Sequence, residues 1–379
     1  MALSAGQLQA KLMKDYYKDF SKYAKGRLPE HKVAWVTAFT PVEILEALEI
    51  RYFYPESYAA VIAASGKEQT LLAESHKGAL CLDCCSYSCC FEGSIRLQEA
   101  PRGMPPKPDV LIATNNQCNT LPNWWNTLAY KFHVPLIVLD YPGEGAAGNA
   151  ALEYVTAQHK ELIARMEKLS GNMLDSARLS ELLDHSERSV AAWNKIVELF
   201  PAHDIPPKLL FDGISFLIHS RCKPETAELY ELQGQELAEF TPADFSKPGL
   251  FWLGYPLWYH SERYLSEILE KVRICGSNYI TWWSLDYSGK EPFERLYHAY
   301  AYTFLNLTQK SKQARLTETI RKSGAVGMIT LHNKSCKCDF VSARSVGLPQ
   351  AEIEMDMIDR EFIDLGKAKR QIERLLESI

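Results

Sequence analysis

The chain has 379 residues, 46% of them hydrophobic and 23% charged, so it can bury a sizeable core and is expected to form about two or three domains. A formal net charge of -5 and the lack of a long Lys/Arg run argue against nucleic acid as a partner. The N-terminus lacks the apolar stretch of a signal peptide, and no run of about 18 apolar residues follows. We therefore expect a cytoplasmic protein without a membrane partner and with reduced cysteines.

Predicted strands and helices alternate in the first part of the chain. Residues 1–30 have the spacing of apolar and charged residues that indicates a helix. Residues 32–39 predict a buried strand, and Pro41 then opens a helix, because proline suits the first helical turn. Strands at 109–115 and 135–141 follow, with a crossover helix between them. This alternation predicts a parallel sheet.

A long helical region separates this sheet from a second one. From about residue 150 to 240 the pattern is amphipathic and helical, and the segment FTPADFSKPG marks the next boundary. Four further strands are predicted, at 250–256, 279–284, 325–333 and 352–357. We therefore predict an α/β protein with two Rossmann-like parallel-sheet domains, a helical segment between them and an N-terminal helix. The predicted segments are 1–30, 31–150, 151–245 and 246–379.

The cysteines are the most informative residues of the chain. Five of them fall in the segment CLDCCSYSCC at residues 81–90. In a reducing compartment such a dense group favours a metal site over disulfides, because thiolates are natural ligands of zinc and of iron–sulfur clusters. Cys118 and Cys336 each follow a predicted strand directly. Ligands collect beyond the carboxyl ends of parallel strands, so three separate loops are positioned to present thiolates to one point.

The segments around these cysteines resemble those of the 2-hydroxyacyl-CoA dehydratase and ATP-dependent benzoyl-CoA reductase subunits, to which double-cubane cluster proteins are related. The resembling segments, in chain order, are CSYSCCFEGS, NNQCNTLPNWWNTLA, PLIVLDYP, HNKSCK, IEMD and GKAKRQIERLLESI. The resemblance implies a 4Fe-4S cluster held by Cys85, Cys118 and Cys336, with one iron left open to a substrate oxygen. It also implies a CoA thioester substrate and a related second subunit. Since the chain has no P-loop pattern, the ATP-hydrolysing iron–sulfur activator of the family must be a separate protein.

The surplus thiols leave the number of irons open. Candidate further metal ligands are Cys81, Cys84, Cys338 and, as an alternative to its packing in the core, Cys89. Cys81 is also an alternative to Cys85. By resemblance, the larger alternative is a second cubane or a double-cubane 8Fe cluster. Some double-cubane relatives carry a cysteine where this chain has Tyr255, which argues against the full double-cubane pattern.

The remaining thiols have simpler explanations. Cys89 and Cys90 are predicted to lie on a helix and to pack as small apolar residues. Cys222 and Cys275 have no comparable context and are predicted to be core or surface thiols. Structural zinc is the competing metal site, but a zinc ribbon normally uses two C-x-x-C knuckles and the chain has one.

Thr40, His332 and Lys334 are the candidate catalytic residues. Thr40 follows the first predicted strand, where its hydroxyl is positioned to orient a substrate carbonyl or, alternatively, to cap the next helix. His332 and Lys334 flank Cys336 and are candidates to donate a proton or hydrogen bonds to a cluster or a substrate. A histidine at the end of a buried strand is more often a structural residue, which is the alternative for His332.

Two further pairs are candidates for the walls of the site. Trp124 and Trp125 follow the Cys118 loop and are positioned to shield a cluster or to stack on an aromatic acyl group; the alternative is a place in the core. Glu354 and Asp356 on the last predicted strand approach the same cleft, or cap neighbouring helices.

The motifs resemble benzoyl-CoA reductase subunits more than dehydratase subunits. Our first hypothesis is therefore an iron–sulfur subunit of an ATP-dependent benzoyl-CoA reductase-type enzyme, which reduces an aryl-CoA thioester by one-electron steps. The second hypothesis is a subunit of a 2-hydroxyacyl-CoA dehydratase, which eliminates water through a ketyl radical. The third is a noncatalytic subunit that relays electrons or completes an interface. The sequence does not specify the acyl group.

Overall fold

Two four-stranded sheets, each with all its strands parallel, organise the fold. The computed structural model describes residues 3–18, 30–78, 84–146, 148–259, 266, 270–336 and 346–379. The strands are β1 (Val33–Val36), β2 (Arg51–Phe53), β3 (Val110–Thr114), β4 (Leu136–Leu139), β5 (Gly249–Leu253), β6 (Arg273–Ser277), β7 (Gly327–Asn333) and β8 (Gln350–Met355). The predicted fold class, two parallel-sheet α/β units, is confirmed.

Both sheets have the same strand order. The first sheet runs β2-β1-β3-β4 and the second runs β6-β5-β7-β8. In each sheet the order reverses between the two central strands, which creates a topological switch point between β1 and β3 and another between β5 and β7. Loops that leave adjacent strands at such a point diverge and open a crevice, so the loops after these four strands are the expected places for a ligand.

Helices connect and cover the strands. The helices are α1 (Ala5–Tyr17), α2 (Val42–Ala47), α3 (Pro55–Ala64), α4 (Glu68–Lys77), α5 (Ser86–Leu97), α6 (Thr120–Phe132), α7 (Asn149–Ser170), α8 (Ser176–Leu199), α9 (Pro207–Gly213), α10 (Ser215–His219), α11 (Pro224–Ala238), α12 (Asn278–Thr281), α13 (Pro292–Ala301), α14 (Gln309–Ser323) and α15 (Leu365–Glu377). Short 3-10 turns occupy Glu144–Ala146 and Phe304–Asn306. The long helices α7, α8 and α11 lie in the region predicted to be helical, whereas the exact domain boundaries stay predictions.

The strand predicted at 279–284 is wrong. The run YITWW is rich in β-branched and aromatic residues, a composition typical of strands. In the structure Ser277 ends β6 and caps α12, because its side chain accepts a hydrogen bond from the backbone N–H of Tyr279 at 3.2 Å. The strand of this region is β6, which the sequence pattern did not reveal. It contains Gly276, where an added Cβ would lie 2.8 Å from the Phe251 ring.

A buried polar network joins the two halves of the protein. The Glu43 carboxylate on α2 lies 3.5 Å from Nε of Arg221, and their side chains are 0% and 1% exposed. The hydroxyls of Tyr300 and Tyr287 donate to this carboxylate at 2.5 and 2.8 Å, and that of Ser186 donates at 2.7 Å. Each oxygen of the carboxylate is therefore hydrogen-bonded, as a buried charge requires.

Gly93 sets the distance between α4 and α5. A Cβ added at Gly93 would lie 1.9 Å from the carbonyl oxygen of Leu71 and 2.6 Å from its carbonyl carbon. Both atoms belong to the backbone, so a larger residue forces the helices apart. Since α5 begins directly after Cys85, this contact also fixes the position of the cysteine loop.

Substitution of Gly93 by alanine is expected to lower the free energy of unfolding by about 1–3 kcal/mol, because overpacking strains a well-packed contact. Urea denaturation followed by circular dichroism measures this difference. Gly234 on α11 is the matched control: its added Cβ meets its nearest neighbour, Cγ1 of Ile196, at an ordinary 3.7 Å. Gly234→Ala should leave stability unchanged or raise it by up to about 1 kcal/mol. Equal stabilities of the two variants would contradict the interpretation of the α4–α5 contact.

Candidate functional site

Three cysteines lie at loops that face the junction of the two sheets. Cys118 follows β3, and Cys336 follows β7, so both stand at the carboxyl ends of central strands. Cys85 immediately precedes α5, and its side chain makes no capping hydrogen bond to that helix. The Cys85 sulfur lies at the positive end of the helix, where the backbone N–H groups of Tyr87 and Ser88 favour its ionised form.

A direct hydrogen bond joins the Cys85 and Cys336 loops. Ser86 and Ser335 adjoin these two cysteines, and their hydroxyl oxygens lie 2.8 Å apart. The backbone N–H of Ser335 also donates to the Asp356 carboxylate at 3.3 Å. Asp356 thus shapes the loop next to Cys336, and it is almost completely buried.

The Cys118 loop is anchored to the second half of the protein in the same way. The side-chain amide of Asn116 donates to the carbonyl of Tyr300 at 2.7 Å, and the hydroxyl of Thr303 donates to the carbonyl of Asn116 at 3.1 Å. Tyr300 lies on α13, which follows the second sheet's strand β6 in the chain. These bonds bring a loop of the first sheet to the second.

Cys336 and Cys118 both lie close enough to Cys85 to affect the ionisation of its thiol. Burial raises the pKa of the Cys85 thiol well above its ordinary value, and Cys336 and Cys118 raise it further. Ionisation of such a group is unfavourable unless a cation compensates the charge, and metal binding does so by displacing the protons. The donor set therefore fits a cationic iron–sulfur cluster.

A single metal ion is a different case. Within the described ranges, no three or more His, Cys, Asp or Glu side chains are grouped so that they could hold one ion. The thiolates of an iron–sulfur cluster bind different irons, so they lie further apart than the ligands of one ion. Cys81 and Cys338 lie outside the described residues.

Glu56 on α3 faces the same cysteines. Burial raises the pKa of its carboxyl group to about 8; Cys118 and Cys336 also raise it, while hydrogen bonds from Ala38 and Gln117 lower it. The backbone N–H of Ala38 donates to Oε2 of Glu56 at 3.2 Å. No sequence pattern pointed to Glu56, because the three-residue strand β2 that precedes it was not predicted.

A cavity of about 520 Å³ lies beside this group, and Glu56, Tyr87 and Gln117 line it on the side of the cysteines. Its volume is within the range of about 300–1,000 Å³ that small-molecule sites have. One side, here called the aromatic wall, consists of aromatic rings. The aromatic wall comprises Phe39, Tyr255, Trp258, Tyr279, Trp282 and Trp283.

The aromatic wall is built on the carboxyl ends of three strands. Phe39 follows β1, Tyr255 follows β5, and Tyr279 lies on α12 directly after β6. The turn into Tyr255 depends on Gly254, which has a φ of +128° and would bring a Cβ to 2.9 Å from Cβ of Leu331. Phe39, Tyr255 and Trp258 therefore lie after central strands, where the strand order predicts a ligand, whereas the other three rings follow the edge strand β6.

Thr40 is placed inside the protein rather than at the cavity. Its hydroxyl oxygen lies 3.2 Å from that of Thr37, and its carbonyl accepts a hydrogen bond from Nη2 of Arg221 at 2.8 Å. Its side chain is fully buried and is not among the cavity-lining residues, whereas its neighbour Phe39 is. The structure thus brings the loop, but not the Thr40 hydroxyl, to the cavity.

His332 and Lys334 also lie away from the cavity lining. The His332 imidazole is 53% exposed and lies 3.6 Å from the Glu352 carboxylate. The Lys334 amine lies 4.9 Å from the centre of the Phe362 ring. Neither residue lines the cavity, so the structure gives the proposed proton donors no contact with it.

The other candidate wall residues have structural partners. Trp125 is fully buried, and its indole N–H donates to the carbonyl of Trp35 at 3.2 Å. Trp124 packs edge-on against Trp125, with ring centres 4.8 Å apart. Glu354 pairs with Lys367 at 2.6 Å on the surface. The two tryptophans belong to the core of the first sheet, and the aromatic wall comes from other residues.

The surplus cysteines within the described residues are mostly buried. Cys89 and Cys90 are almost completely buried on α5, in agreement with their predicted packing as small apolar residues. Burial, with a smaller contribution from Cys84, raises the pKa of the Cys89 thiol to about 11. Cys222 and Cys275 are buried as well. Cys84 therefore remains the described candidate for an additional ligand.

Comparisons with known proteins agree with the motif resemblance. A family model described as 2-hydroxyglutaryl-CoA dehydratase, D-component, matches residues 37–379. The alpha subunit of lactoyl-CoA dehydratase from Anaerotignum propionicum is 26% identical, over 93% of this chain and 91% of its own length. The alpha subunit of (R)-2-hydroxyisocaproyl-CoA dehydratase from Clostridioides difficile is 25% identical, over 97% and 93%. A benzoyl-CoA reductase subunit from Thauera aromatica is 23% identical, over 91% and 88%.

The match spans the whole second sheet, the strands β2, β3 and β4 of the first sheet, all three loops with the cysteines and most of the cavity lining. In the part of the chain that the structure describes, no helix has both the length and the apolar character to cross a bilayer. The relatives are subunits of enzymes whose names place their chemistry on CoA thioesters. The chain belongs to the 2-hydroxyglutaryl-CoA dehydratase D-component family, which confirms the resemblance found in its sequence.

Proposed function

We propose that this chain is the iron–sulfur subunit of a two-subunit enzyme that acts on the acyl group of a CoA thioester. The observation that carries this proposal is the approach of Cys85, Cys118 and Cys336 to one another beside a cavity of suitable size. Glu56 borders both the cysteines and the cavity, because it interacts with two of the thiols and also lines the cavity.

Dehydration of a 2-hydroxyacyl-CoA is the reaction that we place first. The two dehydratase alpha subunits match more than nine tenths of this chain at 25% and 26% identity. Reduction of an aryl-CoA is the second candidate. It is supported by the benzoyl-CoA reductase relative at 23% identity, by the motifs around the cysteines and by the aromatic wall.

The roles of the residues follow from their positions. Cys85, Cys118 and Cys336 would hold a 4Fe-4S cluster, which supplies one-electron chemistry and an iron without a protein thiolate. Gln117 and the backbone of Ala38 fix the Glu56 carboxyl group at the border of the cavity. The aromatic wall excludes water from the acyl group, which strengthens electrostatic interactions in the site.

Partners follow from the same proposal. The alpha-subunit names of the relatives support a second, related subunit, so that the enzyme is a hetero-oligomer. A separate ATP-hydrolysing iron–sulfur protein would deliver electrons, and the cytoplasm is the proposed location. The CoA thioester is the proposed substrate.

The decisive experiment uses the complex of this chain with its partner subunit, prepared without oxygen. Iron and acid-labile sulfide are counted first: about four irons on this chain supports one cubane, and about eight supports the larger assembly. The complex is then assayed with its activator on a 2-hydroxyacyl-CoA and on benzoyl-CoA. Enoyl-CoA formation supports dehydration, and dienoyl-CoA formation supports the reductase. Zinc alone in the protein would overturn the proposal.

A further inference from the structure

We infer that the cavity selects CoA thioesters with a bulky, apolar and uncharged acyl group and rejects acyl groups that end in a second carboxylate. The family takes its name from a dicarboxylic acyl group, so this specificity is not implied by membership. The inference rests on the proposed function, because it treats the cavity beside the cysteines as the acyl site.

The shape of the aromatic wall favours a bulky, apolar acyl group. Tyr279 lies at its centre, with its ring centre 5.4 Å from that of Tyr255 and 5.4 Å from that of Trp282. The centres of Trp258 and Trp283 lie 6.0 and 6.3 Å from it. These distances are typical of edge-to-face and tilted aromatic packing. The rings therefore support one another and offer a broad apolar surface.

The aromatic wall is also connected to the cysteine side. The indole N–H of Trp258 donates to the hydroxyl of Tyr87 at 2.6 Å, and Tyr87 lies on α5 close to Cys85. At the other end, the Phe39 ring stacks on Trp283 with centres 4.8 Å apart. The aromatic wall is therefore preformed. Binding of an apolar acyl group spends little free energy on ordering its rings.

The charges around the cavity disfavour an acyl group that ends in a second carboxylate. Among the described lining residues, the acidic ones are Glu56 and Asp212, and Asp212 is paired with Lys208 at the surface. Arg102 is the cation of this described lining, and it is exposed to solvent. Burial lowers the pKa of His219 to about 3, so its imidazole is neutral.

Among the described lining residues, a second carboxylate would therefore meet aromatic rings and Glu56 rather than a buried cation. Burying an ionised carboxylate without a partner is costly, whereas burying an aryl or branched alkyl group is favourable. Thioesters with an apolar acyl group should therefore bind more tightly than those with a second carboxylate, whichever of the two reactions the enzyme catalyses. A neutral acyl group of aromatic size fits both candidate reactions.

Binding of unreactive thioesters tests the inference without catalysis. The anaerobic complex of this chain with its partner is titrated with 3-phenylpropanoyl-CoA, glutaryl-CoA and free CoA, and tryptophan fluorescence or calorimetry gives the dissociation constants. Phenylpropanoyl-CoA is expected to bind at least about tenfold more tightly than glutaryl-CoA, the scale of discrimination by an apolar pocket.

Two variants test the two parts of the preference separately: one removes a ring of the aromatic wall, and the other adds a cation to the cavity lining. Trp283→Ala should reduce the advantage of phenylpropanoyl-CoA by at least about tenfold. An unchanged affinity for free CoA shows that the variant is folded. Val61→Lys places a cation at a partly buried lining position on α3 and should raise the affinity for glutaryl-CoA severalfold.

The outcomes separate this inference from the proposed function. Equal or tighter binding of glutaryl-CoA overturns the specificity but leaves the function standing, since a CoA thioester is still bound. Loss of glutaryl-CoA binding in Arg102→Ala would likewise overturn it, by showing that Arg102 holds the second carboxylate. Failure of every thioester to bind a cluster-loaded complex overturns both.

Discussion

Replacement of Cys118 by alanine is expected to remove the iron–sulfur cluster and the activity together. Cys118 is one of three neighbouring thiols, and loss of one thiolate leaves two irons of a cubane without protein ligands. Since removal of an outer partner of a metal ligand already costs about 10–100-fold, loss of a ligand should cost more than about 100-fold in activity. Iron content should fall from about four per chain to nearly none.

Cys275→Ala is the matched control for Cys118→Ala. Cys275 is buried in β6 and interacts with Arg273 and Ser323 rather than with the three cysteines. The iron content and activity of the Cys275→Ala variant should equal those of the unmodified chain. Full iron in Cys118→Ala would show that another group, such as Cys84, takes over as ligand. A complex that loses this iron but keeps full activity would instead support the passive, noncatalytic role.

The positions of the cysteines could be predicted because they follow strong patterns. β3 and β7 are apolar runs that are easily recognised, and Cys118 and Cys336 stand directly after them. Parallel strands bring their carboxyl ends to one edge, which made a common site a reasonable expectation. The relation between the two sheets did not follow from the sequence, since it depends on contacts such as that of Ser86 with Ser335.

Side-chain direction explains most of what the sequence could not show. His332 is next to Leu331 on β7, and alternate residues of a strand face opposite sides. Leu331 is buried, so His332 points to the surface, and its closeness to Cys336 in the sequence does not bring it to the cavity. Glu56 shows the converse, because it is distant in sequence from Cys118 and Cys336 but faces both.

The aromatic wall shows a limit of local composition. Tyr279, Trp282 and Trp283 lie in the run that was predicted as a strand, and their function depends on the turn that α12 makes. A strand would have pointed neighbouring rings to opposite faces, whereas the helical turn brings them to one cavity. The error in secondary structure therefore concealed the cavity wall.

The second large effect is expected at the buried ion pair: Glu43→Ala should lower the free energy of unfolding by about 3–5 kcal/mol. The substitution leaves the Arg221 guanidinium, which is 1% exposed, without its counterion. The hydroxyls of Tyr287, Tyr300 and Ser186 also lose their acceptor. Burial of an unpaired charge and unpaired donors is among the largest single costs in a core.

A surface pair with the same charges provides the control. Glu231 accepts two hydrogen bonds from Arg188, at 2.8 and 2.6 Å, and both side chains are about half exposed. Because water replaces the lost contacts there, Glu231→Ala should cost about 0.2–1 kcal/mol. Urea denaturation of both variants measures the difference, and equal costs would contradict the importance of burial.

The double variant Glu43→Met with Arg221→Met tests whether the unpaired charge of Arg221 causes the loss of stability. Removal of both charges eliminates the unpaired ion, so the double variant should be more stable than Glu43→Ala, although the tyrosine hydroxyls still lack a partner. The network connects α2, the helical region and α13, and α13 in turn holds the Cys118 loop through Tyr300. We therefore expect Glu43→Ala to lower iron content as well as stability. Unchanged iron in a destabilised Glu43→Ala protein would show that the cysteine loops are held independently of the network.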